Sequence, residues 1–379
     1  MTADLLKGVR IVELGQYIPA PYAALTLCDL GADVVKIEPP RGDPMRHIGS
    51  ARVDDVSVAY AAMNGGKRVV FADLKSAVGQ QEARALIARA DVLIESFRPG
   101  VLDRLGLDRA TLAALNPGLV HCAISGFGQN GPMAQKAAHD LNYMAAGGGL
   151  SYSGTAERPV MTRPPVSDYA GALQGALSIL AALLRRARTG QGCYLDISMT
   201  DVVLAWQAPS LSEAILAPEA LARGADPDTG GLASYNIYAA ACGNFVTLAA
   251  EEAVFWEKFC RAIGREDLVS RRLEPVPQHG LIAEVARVFA THTALEWEAR
   301  LAGTDCCFQR VLAAEEALDF PQFAARGLIE RVEGGAVSVR YPAWIDDERP
   351  AARRPRRTGT LGEAVAAWSE ASGVGPTDA

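Results

Sequence analysis

Residues 9–37 read VRIVELGQYIPAPYAALTLCDLGADVVKI. Two short runs rich in valine and isoleucine, 9–14 and 33–37, flank an amphipathic stretch. Strand, helix and strand in that order form a βαβ unit, and the crossover makes its strands parallel. The pattern continues outward, with β-rich runs at 68–71, 91–95 and 119–124 alternating with amphipathic segments as far as Phe127. The expected fold class is α/β with a mostly parallel sheet.

Beyond this region, residues 168–189 read DYAGALQGALSILAALLRRART, a long apolar helix with Arg185, Arg186 and Arg188 near its end and Gly190 placed to stop it. Those arginines suit the negative end of the helix dipole. A strand at 194–197 and a further helix follow, and the stretch 217–231, APEALARGADPDTGG, reads as an inter-domain linker. The expected division is a large domain 1–216, a smaller α+β domain 217–330, and a segment 331–379 returning to the large domain. The basic stretch 349–357 is expected to be an exposed connection and the last residues, 373–379, to fray.

A chain of 379 residues, 49% of them apolar, can bury a large core without staples. The net charge of −7 is spread along the chain, which argues against nucleic acid or an anionic membrane as the main partner. Seven cysteines contain no C-x-x-C pair and leave an odd one over, so free, mostly buried thiols in a reducing compartment are expected. Residues 1–7 lack a basic segment leading into an apolar core, and no unbroken apolar run is long enough to span a bilayer. The expected location is cytoplasmic.

Gly126-Phe127-Gly128-Gln129-Asn130-Gly131 matches the G-x-G-x-x-G pattern of dinucleotide-binding proteins. That pattern opens a long helix and is followed by an acidic residue that holds the ribose. Here Pro132 follows the last glycine and Glu157 lies in a loop, so the alternatives are a turn needing positive φ and a ligand-lining loop. No metal-ligand spacing and no Walker-type phosphate loop is present, so neither a metal nor ATP is expected.

The ordered blocks VRIVELGQYIPAPYAALTLCDLGADVVKIEPPRGDPMR, NGGKRVVFADLK, ESFRPGVLDRLGL, LNPGLVHCAISGFGQNGP, HDLNYMAAGGGL and SDYAGALQGALSILAALLRRARTGQG follow one another between residues 9 and 192. Together they resemble the family III CoA-transferases, also called CaiB/BaiF, and their isomerase branch, the α-methylacyl-CoA racemases. The resemblance implies a large Rossmann-like domain that binds coenzyme A, a smaller domain, and an interlocked homodimer with active sites between subunits. It implies an acyl-CoA thioester as substrate, with coenzyme A arriving as part of that substrate and no permanently bound cofactor.

Within this resemblance Asp168 matches the carboxylate that the transferases use as nucleophile and the racemases as acid or base; an ordinary helix cap is the alternative. At a helix N-terminus the carboxylate is expected to stay ionised near neutral pH. His139, in HDLNY, resembles the racemases' catalytic histidine, whose imidazole titrates near neutrality. Glu252, in VTLAAEEAVFW, matches the glutamate that supports that histidine across the dimer, or is a solvated helix start. For coenzyme A the resemblance points to Lys67, Ser96, Phe97, Arg98, Arg104, Lys136 and Asp140, with Arg41 replacing a basic residue displaced by Pro39 and Pro40. Each cation alone also reads as a surface charge.

The departures are Cys242-Gly243 in place of an Asp-Gly turn and a missing proline near Cys306 to Val311. Two activities remain in view. One is α-proton exchange at a 2-methylacyl-CoA between His139 and Asp168. The other is CoA transfer through an Asp168 anhydride and then an enzyme-bound thioester. Transferases often place a glutamine beside the thioester, whereas Tyr17-Ile18-Pro19-Ala20-Pro21 resembles the racemases' apolar segment, with Gln16 two positions away.

Overall fold

A computed structural model describes residues 4–217, 222–332, 336–349 and 351–370. The chain divides into two compact units, the first comprising Met1–Gly147, Thr162–Trp206 and Pro321–Ala379, the second Gly148–Met161 and Gln207–Phe320.

In the first unit β1 (Arg10–Leu14), β2 (Asp33–Glu38), β3 (Arg68–Phe71), β4 (Val92–Glu95), β5 (Val120–Ser125) and β6 (Cys193–Ser198) lie in the order β6-β5-β4-β1-β2-β3. The strand Arg357–Gly359 adds itself beside β3, and every pairing in the seven-stranded sheet is parallel. Strands covered on both faces need side chains that are apolar in both directions. Accordingly Ile11, Val34, Val92 and Ile94 join one core cluster, while their neighbours Val12, Val35 and Leu93 join the cluster on the opposite face.

Helix α1 (Pro19–Asp29) packs on the first of these faces through Ala20, Ala23, Ala24 and Leu27. Helix α2 (Asp140–Ala146) is short, and α3 (Val166–Thr189) is the long helix expected from the sequence. One face of α3 is built of small residues because the sheet is close: a Cβ on Gly175 would stand 2.8 Å from Ile124 Cδ1. By length and composition α3 is able to cross a membrane, yet that small-residue face is spent on the sheet. Gly190 ends it at φ 71°, the left-handed stop expected there, and Arg186 in the last turn pairs with Asp91 at 2.7 Å.

Three expectations are corrected. Helix α3 begins at Val166, so Asp168 sits inside its first turn and not at the cap, which is Pro165. The hairpin containing 154–159 and the segment after Trp206 belong to the second unit, since Arg223 donates to the carbonyls of Thr155 and Ser151. Among the described residues of 349–357, the chain is no free connection: Arg353 grips the Asp29 carboxylate at 2.6 and 2.9 Å, and the next residues enter the sheet. The expected fraying of 373–379, and residues 218–221 of the expected linker, lie outside the described residues.

The second unit is α+β. Its strands β7 (Tyr235–Ala239), β8 (Phe245–Ala249) and β9 (Phe308–Arg310) form an antiparallel sheet. Helices α4 (Ala253–Ala262), α5 (His279–Phe289) and α6 (Ala294–Leu301) cover it with Trp256, Phe259, Phe289 and Trp297. All seven cysteines are free; Cys122, Cys260 and Cys306 are buried, Cys28 and Cys193 half-buried, and Cys242 and Cys307 exposed, which is less burial than expected.

Candidate active site

The strand order reverses at β1, which has β4 on one side and β2 on the other. Loops leaving neighbouring strands in opposite directions open a crevice at their carboxyl ends, the usual ligand position in such sheets. A cleft of about 230 Å³ lies there. Gln16 and Tyr17 line it from the loop after β1, Ser96, Phe97 and Arg98 from the loop after β4, and Gly126 and Phe127 from the loop after β5. Lys136, His139 and Asp168 line it as well, so six of the expected catalytic and coenzyme A residues meet in one place.

Local chemistry explains how each is held. Glu95, at the buried end of β4, accepts the Phe97 N–H at 2.7 Å and so fixes the turn that presents Ser96, Phe97 and Arg98. Burial pushes the Glu95 carboxyl up to about 8, against the pull of that hydrogen bond. Gln135 Nε2 donates to the Pro99 carbonyl at 3.0 Å, joining the loop before His139 to the Arg98 loop. The glycine-rich stretch opens no helix: Gly128 and Gly131 take φ of 78° and 88°. Gly126 is required by close approach, because a Cβ there would stand 2.3 Å from the Tyr143 ring. The stretch is thus both a turn and a cleft wall.

His139 occupies the cap position of α2, where its N–H donates to Asn142 Oδ1 at 3.1 Å, and the residue is exposed to the cleft. Asp168 lines the same cleft and is partly buried, with Asp140 linking the starts of α2 and α3. Asp140 Oδ1 accepts from the Ser167 N–H at 2.7 Å and the Ser167 hydroxyl at 2.5 Å. Burial first, and the Asp140 charge second, raise the Asp168 carboxyl to about 7. The expectation of a carboxylate held ionised by the helix start is therefore corrected: burial and the neighbouring Asp140 charge both favour the protonated form.

The other expected coenzyme A contacts are placed differently. Lys67 is fully buried, and its ammonium donates to Glu13 Oε2 at 2.7 Å, the Pro21 carbonyl at 2.7 Å and Asn64 Oδ1 at 3.3 Å. All three of its donors are used, so it is a core group here and no phosphate ligand. It belongs to a buried ionic cluster in which Lys36 contacts Glu13 at 3.2 Å and Asp43 at 2.8 Å. Burial acts downward on Lys36, but Glu13, Asp43 and Glu38 more than offset it; Lys67, chiefly through burial, falls below the ordinary lysine range. Asp140 is spent on tying α2 to α3. Arg41 and Arg104 are exposed on the same unit but outside the cleft lining.

Glu252 stands in the second unit, exposed at the cap position of α4, as a solvated helix start requires. Among the described residues no group of three or more His, Cys, Asp or Glu is placed to hold a metal. Sequence reasoning took Tyr17 only as part of an apolar segment and missed Glu95. The second had a signal, a carboxylate closing an otherwise apolar strand just before Ser96.

Residues 6–363 match the model of CoA-transferase family III. The human α-methylacyl-CoA racemase is 34% identical over 94% of this chain and 91% of its own. The succinyl-CoA–D-citramalate CoA-transferase of Chloroflexus aurantiacus is 32% identical over 85% of this chain and 82% of its own. Among solved structures, a CaiB/BaiF family protein from Brucella suis superimposes with a TM-score of 0.83 at 28% identity, covering 96% of this chain and 98% of that one. With the racemase and the transferase similar to nearly the same degree, the level these findings reach is the family: the chain is an enzyme of CoA-transferase family III, the CaiB/BaiF family.

Proposed function

We propose that the protein is a 2-methylacyl-CoA racemase or epimerase working by proton exchange at the α-carbon. The observation that carries this reading is Asp168: a carboxyl raised to about 7 in a cleft shared with His139 can both take and return a proton near neutral pH. A carboxylate serving as nucleophile gains nothing from being half protonated. In this reading the exposed Arg98 and Lys136 hold the phosphates of coenzyme A and Ser96 and Phe97 flank its chain. One of His139 and Asp168 removes the α-proton, leaving an enolate, and the other delivers a proton to the opposite face.

The reading extends to an interlocked homodimer in which Glu252 supports the partner chain's imidazole. It is supported by Leu173, Leu177 and Leu184, which form an exposed apolar stripe on α3. It also extends to a cytoplasmic location, in keeping with the free thiols.

A second reading, CoA transfer through Asp168, is favoured by one observation: Gln16 lines the cleft even though it is two positions from the place expected for a transferase glutamine. Incubation in D2O with a 2-methyl-branched acyl-CoA and no acceptor acid decides between them. Deuterium at the α-carbon with the thioester intact supports the isomerase. Absence of deuterium, with an added acid converted to its thioester and hydroxylamine trapping an adduct on Asp168, overturns it.

A further inference from the structure

Tyr17 is a non-glycine residue with φ 61°, in the left-handed region that side chains rarely enter. Such a conformation persists where the surroundings over-determine it, and it gathers at functional sites. Here the determinant is Asp43. Its Oδ1 faces the Tyr17 N–H at 3.4 Å and accepts the Met45 N–H at 2.9 Å, while its Oδ2 accepts from the Lys36 ammonium at 2.8 Å. Asp43 is fully buried and its own N–H donates to Glu38, so the anchor is rigid. The loop it pins carries the Tyr17 ring into the cleft, where the residue is 39% exposed. There it meets His139 edge-on, with ring centroids 6.4 Å apart and planes at 84°. That is the preferred perpendicular geometry of a ring pair. Glycine takes this backbone freely, so a tyrosine in its place points to the ring as the useful part.

We propose that Tyr17 is a positioning residue for His139: the buried Lys36–Asp43 pair holds the Tyr17 backbone, and the ring fixes the face that the imidazole turns to the acyl carbon. The proposal rests on the reading of His139 as a proton-transfer base, and its test separates the two. Tyr17→Gly suits the backbone and folds, which a melting curve verifies, while Tyr17→Phe keeps the ring. Two quantities are measured on the intact protein: the rate at which diethyl pyrocarbonate modifies His139, followed by peptide mass spectrometry, and α-proton exchange from each epimer of a 2-methylacyl-CoA.

In Tyr17→Gly the modification rate rises several-fold, and kcat for exchange falls by about tenfold to a hundredfold for the epimer served by His139, the upper end being the loss when a reacting group is misplaced by an ångström. KM and exchange from the other epimer stay nearly unchanged, and Tyr17→Phe behaves as the wild type in both measurements. If Tyr17→Gly leaves the modification rate unchanged, or if Tyr17→Phe loses as much as Tyr17→Gly, the positioning role is overturned. If the wild type exchanges no α-proton, the isomerase reading fails, and the positioning role is then decided by the modification rates alone.

Discussion

Asp140 Oδ1 accepts the Asp168 N–H at 3.3 Å, so one carboxylate helps to set the helix start that carries the other and also raises its proton affinity. Asp140→Asn keeps an acceptor and removes the charge. The Asp168 limb of the pH–rate profile is expected to move below about 7 in that variant, while Asp140→Ala costs about 1 to 3 kcal/mol in urea unfolding because the Ser167 donors lose their partner. An unmoved limb in Asp140→Asn removes Asp140 from the electrostatics of the site.

Stability carries the same signature with a definite sign. The folded Asp168 holds its proton up to about 7, whereas the unfolded chain releases it in the ordinary carboxylate range. Between those limits the native state binds more protons, so native stability declines as pH rises. Asp168→Asn lacks this loss. It is expected to gain on the wild type by at least about 1 kcal/mol from pH 4 to pH 8, since each tenfold change in proton affinity is worth about 1.4 kcal/mol. Denaturant melts at both pH values check this; equal differences at the two ends contradict the raised carboxyl.

Lys67 and Arg98 separate core from cleft. Lys67→Ala leaves Glu13 buried beside fewer cations and is expected to destabilise the fold by about 3 to 5 kcal/mol, with little selective effect on substrate affinity. Arg98→Ala is expected to raise KM for an acyl-CoA about tenfold or more, the worth of a charge-assisted contact, with the melting temperature unchanged. The opposite pattern, a stable Lys67→Ala with weak CoA binding, restores Lys67 as a ligand.

The leucine stripe on α3 predicts association. Sedimentation is expected to give twice the chain mass without dissociation on dilution. Leu177→Asp combined with Leu184→Asp is expected to halve that mass while far-ultraviolet dichroism keeps its helical content. A fully active wild-type monomer excludes a site shared between chains.

The strands were legible because a parallel sheet covered on both faces demands unbroken β-branched runs, and those runs stand at 68–71 and 119–124 within a residue of where the strands lie. Gly190 was legible because a left-handed stop has few solutions. Lys67 was not: beside Gly65 and Gly66 it reads as a loop cation, and its partner Glu13 is far away in sequence. The ionisation of Asp168 was hidden for the same reason, since the dipole is a local property and burial is not. The backbone of Tyr17 gave no sign, because a positive φ in a tyrosine leaves no trace in composition or spacing.

The strand Arg357–Gly359 lies beside β3, yet the whole second unit is made before it. During synthesis the outer side of β3 therefore waits with its backbone N–H and C=O groups unmatched, the condition under which sheets capture strands from other molecules. A chain that stops before Arg357 keeps that edge for life, and it also loses Leu361 and Trp368 from the core on one face of the sheet. Nascent and truncated forms are thus the ones exposed to aggregation, because the strand that covers β3 is made only after every other strand of its sheet.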